Sequence, residues 1–271
     1  MNSAPILELN ELSMVFGGLR AVDEVSAVVN SGEIVSIIGP NGAGKTTLFN
    51  CVTGFYRPTS GNIVVHVPEG SREGRSGRSF QLRGTSVDRI SNIGLARTFQ
   101  NIRLFQNMTV LENVLIGRHT RMKQGLWAAI IRSKGFLAEE AQSAQSAVEC
   151  LRIMGLEQKL NDLAKNLSYG DQRRLEIARA LATEPFLLLL DEPAAGMNPQ
   201  ETAALNRDIQ RLRDEENMTI LLIEHDMNLV MVLSERIYVM DYGRLIASGR
   251  PEEIRRNPDV IRAYLGENPD A

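Results

Sequence analysis

Short apolar segments alternate along most of the chain with longer stretches of mixed polarity. Residues 34–38 are almost entirely apolar and β-branched, which is typical of a buried strand. Similar segments recur later in the chain with helical patterns between them. Strands that alternate with helices predict a parallel sheet covered on both faces. The further predicted strands are 186–190, 219–223 and 236–240, and the helices between them are 200–214 and 227–233.

The first part of the chain has the alternation of half-exposed strands. Apolar and polar residues alternate over residues 6–16, and strand character returns at 22–29 and 62–67. Residues 66–92 are rich in Gly, Ser and Arg, which predicts a long exposed loop or insertion. The alternative for that stretch is an arm that binds RNA or a lipid headgroup.

Residues 93–167 have a mostly helical pattern without the strand alternation of the earlier segments. Within them, residues 139–154 carry apolar side chains at helical spacing, which predicts a helix with one face in a core. We therefore expect a helical subdomain inserted between strand-bearing segments. The apolar stripe consists of Ala144, Val148, Leu151 and Met154.

Composition limits the classes of protein that the chain can represent. A formal net charge of −3 over 271 residues gives no overall basic field, so nucleic acid is disfavoured as a partner. Cys51 and Cys150 fall in predicted helices without metal-ligand spacing, and we interpret them as buried thiols in a reducing cytosol. No signal peptide or apolar run of the ~20 residues that span a bilayer is present. We expect a soluble chain that reaches a membrane only through a partner.

A glycine-rich loop follows the first buried strand. Residues 39–46 fit the spacing G-x-x-x-x-G-K-[ST], and a helical pattern begins directly after them. Strand, loop and helix make a phosphate cradle, because the glycines let backbone amides converge on an anion and the helix adds its positive dipole end. Lys45 is expected to reach the β- and γ-phosphates, and the Thr46 hydroxyl to ligate Mg²⁺. The candidate nucleotide-binding residues here are Gly39, Pro40, Asn41, Gly42, Ala43, Gly44, Lys45, Thr46 and Thr47.

Two carboxylates follow the apolar run at 186–190. Ligands of open α/β sheets bind beyond the carboxyl ends of the strands, so Asp191 is placed to hold Mg²⁺ directly or through water. Glu192 comes one residue later and need not ligate the metal. It is the candidate general base that accepts a proton from an attacking water.

A second helix with an apolar face begins after Leu167 and Ser168. Ser168 precedes Asp171 by the spacing of a helix cap, and a helix N-terminus can also bind a phosphate. The segment resembles the Leu-Ser-Gly-Gly-Gln signature of ABC ATPases. Ser168 and Gly170 are retained, while Tyr169 and Asp171 replace one Gly and the Gln.

The resemblance to ABC ATPases covers nearly the whole chain and implies roles for further residues. Gln100 matches the glutamine that senses Mg²⁺ and the γ-phosphate, and His225 matches the switch histidine that contacts the γ-phosphate. Phe16 resembles the aromatic that stacks on adenine, with Val22 completing the shelf. An ordinary core phenylalanine is the alternative for Phe16. Asn198 stands where the family usually has Asp in its subunit-communication loop.

The same resemblance implies the fold class and its mode of action. The expected fold is an α/β P-loop NTPase of the ABC type, with an antiparallel β subdomain and an inserted helical subdomain. Two copies are expected to face head to tail and to bind ATP and Mg²⁺ between them. Ser168 and Gly170 of one subunit then complete the site of Lys45 in the other. The implied single ABC domain, 1–271, divides into an ATP-binding core with β subdomain (1–95 and 176–250), a helical subdomain (96–175) and a C-terminal helical tail (251–271).

Four segments are similar to the ATPase subunits of branched-chain amino-acid importers. This resemblance implies an ATP hydrolase that powers transport together with two permease subunits, a second related ATPase and a solute-binding protein. The chain would then lie peripherally on the cytoplasmic side of the inner or plasma membrane, held by the permeases. The similar segments are 97–105, 168–179, 191–199 and 257–266.

Several other functions remain open at this point. A urea or amide importer and a lipopolysaccharide-export ATPase share parts of the same motifs. A non-transport ABC protein acting on DNA or ribosomes would need a second cassette or a long coiled-coil insertion, and the sequence has neither. A small-molecule kinase built on the same loop would leave the signature helix and His225 unexplained.

Overall fold

Two β-sheets form the framework of the first of two units in the computed structural model. The structure describes residues 4–71, 76–119 and 134–265. The first unit comprises the described residues of Met1–Arg97, Phe186–Glu192 and Ile209–Ala271, and the second those of Thr98–Pro185 and Pro193–Asp208. The strands are β1 (Pro5–Phe16), β2 (Leu19–Asn30), β3 (Ile34–Ile38), β4 (Ser60–His66), β5 (Ser79–Gln81), β6 (Leu95–Arg97), β7 (Leu187–Asp191), β8 (Thr219–Ile223), β9 (Arg236–Asp241) and β10 (Arg244–Gly249). The helices within the described ranges are α1 (Lys45–Val52), α2 (Val87–Ile93), α3 (Val110–His119), α4 (Lys134–Ile153), α5 (Tyr169–Leu181), α6 (Pro199–Asp214), α7 (Met227–Leu233), α8 (Pro251–Arg255) and α9 (Pro258–Leu265).

The larger sheet of the first unit has the strand order β10-β9-β3-β8-β7-β6. Its inner strands are parallel, with Val35 of β3 opposite Leu221 of β8 and Arg236 of β9, and β10 joins antiparallel at one edge. Every residue of β3, β7 and β8 is buried, as expected for strands covered on both faces. The predicted parallel sheet is confirmed. Its register brings the carboxyl ends of β3, β7 and β8 to the same edge.

The smaller sheet is antiparallel, in the order β2-β1-β4-β5. The last of these strands corrects the prediction of a loop over residues 66–92. β5 pairs with β4, with Phe80 opposite Val65, and Phe80 packs against the core of the unit. The helix α2 also lies in this stretch, and residues 72–75 are outside the described residues.

Two further short strands also lie outside the predicted elements. β6 pairs in parallel with β7 in a region predicted to be mostly helical, and β10 pairs with β9. β6 has only 3 residues, too few for an alternating pattern. Its strand conformation follows from the backbone hydrogen bonds of its neighbour, which a local pattern does not contain.

Apolar side chains from both sheets form the core of the first unit. In the larger cluster, Val35 and Ile37 of β3 are grouped with Leu48 and Phe49 of α1, and with side chains of β1, β2 and β4. A separate cluster contains Ile38 of β3 together with residues of β9, α7, α8 and α9. Because β3 contributes to both clusters, the strand that leads into the glycine-rich loop is held firmly on each face.

The second unit is helical in its described part. Its helices α3, α4 and α5 contact one another. On α4, Leu151 is fully buried, and Met154 directly after the helix is buried as well, whereas Ala144 and Val148 are half-buried. The predicted apolar stripe therefore faces a core, as expected.

The two cysteines differ in burial. Cys51 is buried and Cys150 is only half-buried, so the prediction of two buried thiols holds for the first alone. Burial raises the pKa of the Cys51 thiol to about 12 and that of Cys150 to about 11, which keeps both protonated and unreactive.

In the part of the chain that the structure describes, no helix combines the length and the hydrophobicity needed to cross a membrane.

Candidate functional site

The glycine-rich loop connects the carboxyl end of β3 to the first residue of α1, as predicted. Two of its glycines are required by close backbone contacts as well as by positive φ. A Cβ atom on Gly39 (φ 152°) would lie 2.1 Å from the Met240 carbonyl oxygen, and one on Gly44 (φ 99°) would lie 2.2 Å from the Ala21 carbonyl oxygen. The loop is thus seated against β9 on one side and β2 on the other, in a conformation that other residues cannot adopt without strain.

The start of α1 provides an anion-binding end. Its N-cap is Gly44, and glycine brings no side-chain oxygen to the first amides of the helix. Those amides and the helix dipole are therefore available to a phosphate. The Lys45 ammonium is buried and donates to the carbonyl oxygens of Gly39 (2.7 Å) and Pro40 (3.0 Å). Burial lowers the pKa of Lys45, and the carboxylates of Glu192 and Asp191 act in the opposite direction.

A cavity of about 500 Å³ opens over this loop. Lys45 and Thr46 of the loop line it. The aromatic ring of Phe16 and the carboxylate of Glu192 line it as well. This volume is in the range of small-molecule sites. The remaining lining residues are Leu19, Arg20, Ala21, Asn41, Gly42, Ala43, Gly44, Thr47 and Tyr242.

Phe16 is exposed at the edge of this cavity rather than buried in a core. Its side chain is 41% exposed, and Tyr56 contacts it edge to face with ring centroids 5.2 Å apart. Such pairs hold an aromatic ring in place. The core alternative for Phe16 is therefore excluded, and Tyr56 is a supporting residue that the sequence did not single out. Val22 is fully buried, so its side chain belongs to the core beneath β2.

Asp191 lies at the carboxyl end of β7 and is almost completely buried. Arg97 of β6 donates to its Oδ2 at 2.7 Å, and also to Asn50 Oδ1 at 2.7 Å and Thr53 Oγ1 at 3.0 Å on α1. The Arg97 guanidinium lies over the Phe49 ring at 5.6 Å. Arg97 therefore ties the predicted metal-binding carboxylate to the helix that follows the loop, a role that the sequence did not indicate.

We expect that replacing Arg97 with methionine lowers the free energy of unfolding by about 3–5 kcal/mol, because it leaves Asp191 as a buried, unpaired charge. Chemical denaturation measures the change. The matched control is Arg152→Met, since Arg152 pairs with Glu149 on an exposed surface (60% and 52% exposed), where ion pairs contribute about 0–1 kcal/mol. An equal, small effect of both substitutions would contradict the role of Arg97.

Glu192 stands next to Asp191 in a strained backbone conformation. Its φ is 46°, which is uncommon for a residue with a side chain, and its amide donates to the Ile223 carbonyl at 2.9 Å. Strain of this kind is concentrated at functional sites. The His225 Nδ1 is 3.7 Å from Glu192 Oε2, and the His225 side chain is 59% exposed. Lys45, Thr46, Glu192 and His225 thus all lie in the first unit, at the edge of the larger sheet where β3, β7 and β8 end.

The predicted signature residues begin α5 in the second unit. Ser168 is the N-cap, and its Oγ accepts from the Asp171 amide at 3.2 Å, as the capping prediction required. Asp171 in turn accepts from Lys159 at 2.5 Å. Burial raises the pKa of Asp171, but the hydrogen bonds from Lys159 and Ser168 lower it by more. A Cβ on Gly170 would lie 3.0 Å from Glu201 Oε1, so the glycine permits close packing of α5 on α6.

Gln100 and Asn198 also lie in the second unit. Arg173, fully buried on α5, donates to the carbonyl oxygens of Phe99 (2.6 Å) and Gln100 (2.7 Å), which fixes the Gln100 backbone to the signature helix. Asn198 Oδ1 accepts from the Glu201 amide at 3.0 Å and caps α6. The asparagine therefore keeps the capping function that an aspartate would have at this position.

Two family models match this chain. Residues 22–195 match the family model described as "ABC transporter", and residues 244–270 match the one described as "Branched-chain amino acid ATP-binding cassette transporter". The high-affinity branched-chain amino acid transport ATP-binding protein LivG of Salmonella typhimurium is 51% identical over 265 residues, which are 98% of this chain and 99% of LivG.

Two other matches are informative. The lipopolysaccharide export system ATP-binding protein LptB of Escherichia coli is 34% identical over 262 residues, 97% of this chain and 98% of LptB. A crystal structure of the ADP conformation of an ATP-binding cassette of an ABC transporter superposes with a TM-score of 0.81 at 30% identity. It covers 98% of this chain and 100% of that one.

Proposed function

Because the chain belongs to the ABC transporter family of ATP-binding proteins, we propose that it binds and hydrolyses ATP to drive uptake of branched-chain amino acids across a membrane. The observation that carries this proposal is the cavity in which Lys45, Thr46 and Glu192 meet beside Phe16. A phosphate-binding loop and a carboxylate base are parts that phosphoryl transfer to water uses, and an aromatic ring can hold the base of the nucleotide.

Nucleotide binding uses the open end of α1. The phosphates are held by the backbone amides of Gly42–Thr47 and by Lys45, whose ammonium exchanges the carbonyls of Gly39 and Pro40 for phosphate oxygens. The adenine stacks on Phe16, which Tyr56 supports from its edge. Stacking on an aromatic ring contributes roughly 1–3 kcal/mol per base in nucleic-acid systems.

The donor set also suits Mg²⁺. Thr46 presents an exposed hydroxyl and Asp191 a carboxylate, and hard oxygen ligands are those that Mg²⁺ prefers. When bound with the nucleotide, the ion neutralises phosphate charge. The ion pair with Arg97, at 2.7 Å, holds the Asp191 carboxylate in place for this purpose. A role of Gln100 as a further ligand stays a prediction from the resemblance.

Glu192 performs the proton transfer in the hydrolysis. Its carboxylate accepts a proton from a water that attacks the γ-phosphorus, and the bond from that phosphorus to the bridging oxygen breaks to give ADP and phosphate. His225, whose Nδ1 is 3.7 Å from Glu192 Oε2, is placed to orient the base and to donate to the γ-phosphate. The strained backbone of Glu192 holds the carboxylate at the cavity instead of in solvent.

One subunit supplies only part of the site. Ser168 and Gly170 stand at the N-terminus of α5, which is a second phosphate-binding end. We place them against the γ-phosphate of an ATP held by the loop of a second ATPase subunit, so that ATP joins the two subunits and its hydrolysis releases them. Isolated chains then bind nucleotide, while rapid turnover requires the dimer.

Branched-chain amino acids are the cargo that the comparisons favour. LivG is 51% identical over nearly its full length, compared with 34% for the lipopolysaccharide-export protein, and residues 244–270 match a family model named for branched-chain amino acid transporters. The complex would contain permease subunits, a related ATPase and a solute-binding protein, with this chain peripheral on the cytoplasmic face. A urea or amide importer is the alternative.

Transport by the reconstituted complex tests the cargo. In proteoliposomes with ATP on the side of this subunit and saturating binding protein, we expect uptake of Leu, Ile and Val, and none of urea, with no uptake when ADP replaces ATP. Urea uptake in place of amino-acid uptake would support the alternative. Lipopolysaccharide release without uptake would contradict an importer altogether.

A further inference from the structure

Two cations line the nucleotide cavity, and only one of them belongs to the phosphate loop. Among the described residues around this cavity, Arg20 and Lys45 carry positive charge and Glu192 carries negative charge. Arg20 lies at the start of β2, and its side chain is 61% exposed. The steps of ATP hydrolysis use Phe16, Lys45 and Glu192, and they leave Arg20 without a role.

The backbone of Arg20 and Ala21 is packed between two glycines. A Cβ atom on Gly44, the N-cap of α1, would lie 2.2 Å from the Ala21 carbonyl oxygen, and one on Gly243 would lie 3.0 Å from the Arg20 carbonyl oxygen. The start of β2 is therefore in close contact with the helix end that is open to a phosphate and with the turn between β9 and β10. The Arg20 side chain extends from backbone that is fixed beside the phosphate site.

Asp23 connects the Arg20 guanidinium to the loop. Arg20 Nη1 donates to Asp23 Oδ1 at 2.7 Å. The Asp23 amide donates to the Gly243 carbonyl oxygen at 2.8 Å, and the Gly243 amide donates to the carbonyl oxygen of Ala43 in the loop at 3.1 Å. Three successive hydrogen bonds thus hold the guanidinium in a defined position relative to the loop.

A second arginine shares the charge of Asp23. Arg244 donates to Asp23 Oδ2 from Nε at 2.8 Å, and its Nη2 lies 2.6 Å from the same oxygen. Hydrogen bonds from Arg244 and from Arg20 lower the pKa of Asp23, so the carboxylate is ionised at neutral pH. Two guanidinium groups and one carboxylate leave an excess of one positive charge at the edge of the cavity. A guanidinium has five N–H donors, and the bond from Arg20 to Asp23 uses one of them.

We propose that Arg20 is a second cationic ligand of the nucleotide and donates to its phosphate oxygens together with Lys45. The guanidinium group suits this contact because its donors can bind a phosphate and a carboxylate at the same time. Asp23 positions the group, and Arg244 offsets the negative charge that Asp23 would otherwise bring to the site. This assignment rests on the proposed function, since the anion that Arg20 binds is ATP.

Replacing Arg20 with methionine tests the contact in the full chain. We expect the dissociation constants of MgATP and of the magnesium complex of inorganic tripolyphosphate to rise by about 3- to 12-fold, an effect limited by the exposure of Arg20. Calorimetric titration measures both constants. The ratio of variant to parent should be smaller at about 0.5 M salt than at about 0.05 M, because salt screens exposed charges.

The matched control is Arg244→Met. Arg244 binds the same carboxylate and is 72% exposed, compared with 61% for Arg20, but it is not among the residues that line the cavity. Its replacement should leave both dissociation constants within about twofold of the parent, because an exposed charge that does not touch the ligand is screened. Equal effects of the two substitutions would show that the arginines act only by holding Asp23, and would overturn the proposal. Unchanged affinities in Arg20→Met, or an effect independent of salt, would overturn it as well.

Tripolyphosphate separates this proposal from the proposed function. If the parent binds MgATP and Arg20→Met binds it equally well, the proposed function stands and the role of Arg20 fails. If the parent binds tripolyphosphate but not MgATP, and Arg20→Met weakens that binding, the phosphate contact stands and the ATPase function fails. A parent chain that binds neither would overturn both.

Discussion

Replacing Glu192 with glutamine is expected to lower ATP turnover in the assembled complex by about 10²–10⁴-fold, the usual contribution of a general base. Glutamine has nearly the same shape but cannot accept the proton of the attacking water. Because Lys45, the loop amides and Phe16 remain, MgATP binding should stay within about threefold of the parent. The variant should therefore accumulate as an ATP-bound dimer, which sedimentation with ATP and with ADP would detect.

A second glutamate provides the matched control for this substitution. Glu24 has a similar backbone conformation, with φ 53° against 46° for Glu192, and it is exposed away from the cavity. Glu24→Gln should leave turnover within about twofold of the parent. It also removes one negative charge from a residue with positive φ, but the general base Glu192 remains. Turnover close to the parent rate in Glu192→Gln would show that another group accepts the proton.

Replacing Lys45 with alanine is expected to weaken MgATP binding by about 10- to 150-fold. Its ammonium is the one side-chain cation of the loop itself, and charge-assisted hydrogen bonds contribute about 1.5–3 kcal/mol each. Burial lowers the pKa of Lys45, because the buried ammonium has lost much of its hydration. Hydrogen bonds to phosphate oxygens would replace that hydration. Calorimetric titration with MgATP measures the dissociation constant.

Lys165→Ala is the control for the loss of a lysine. Lys165 is exposed and donates to Asn107 at 3.2 Å in the second unit. Its removal should leave the dissociation constant unchanged. The two variants together separate the local action of Lys45 from a general effect of positive charge on an anionic ligand. Equal affinities of Lys45→Ala and the parent would exclude Lys45 as a phosphate ligand.

The family and the fold class inferred from the motifs are confirmed. The loop could be predicted because its constraints are local. The glycines, Lys45 and Thr46 are close in sequence, and a buried strand and a helix flank them. Asp191 and Glu192 could be assigned for a similar reason, since the apolar run before them shows which end of the strand they occupy.

Contacts between distant parts of the chain could not be predicted in this way. Arg97 is 94 residues from the Asp191 that it pairs with. Tyr56, which contacts Phe16 at the end of β1, lies in the connection between α1 and β4. The strands β5 and β6 have 3 residues each and exist because neighbouring strands offer backbone partners. For Val22, the resemblance to ABC ATPases implied a contact with adenine, but the side chain is fully buried in the core.

Leucine uptake and ATP consumption in the same proteoliposomes test most directly whether this site drives transport. Complexes containing parent chain or Glu192→Gln would be supplied with ATP on the side of this subunit, leucine and binding protein on the other. If hydrolysis at this site powers uptake, both rates should fall together by about 100-fold or more in the variant. Leucine uptake at the parent rate in Glu192→Gln would contradict the proposed function.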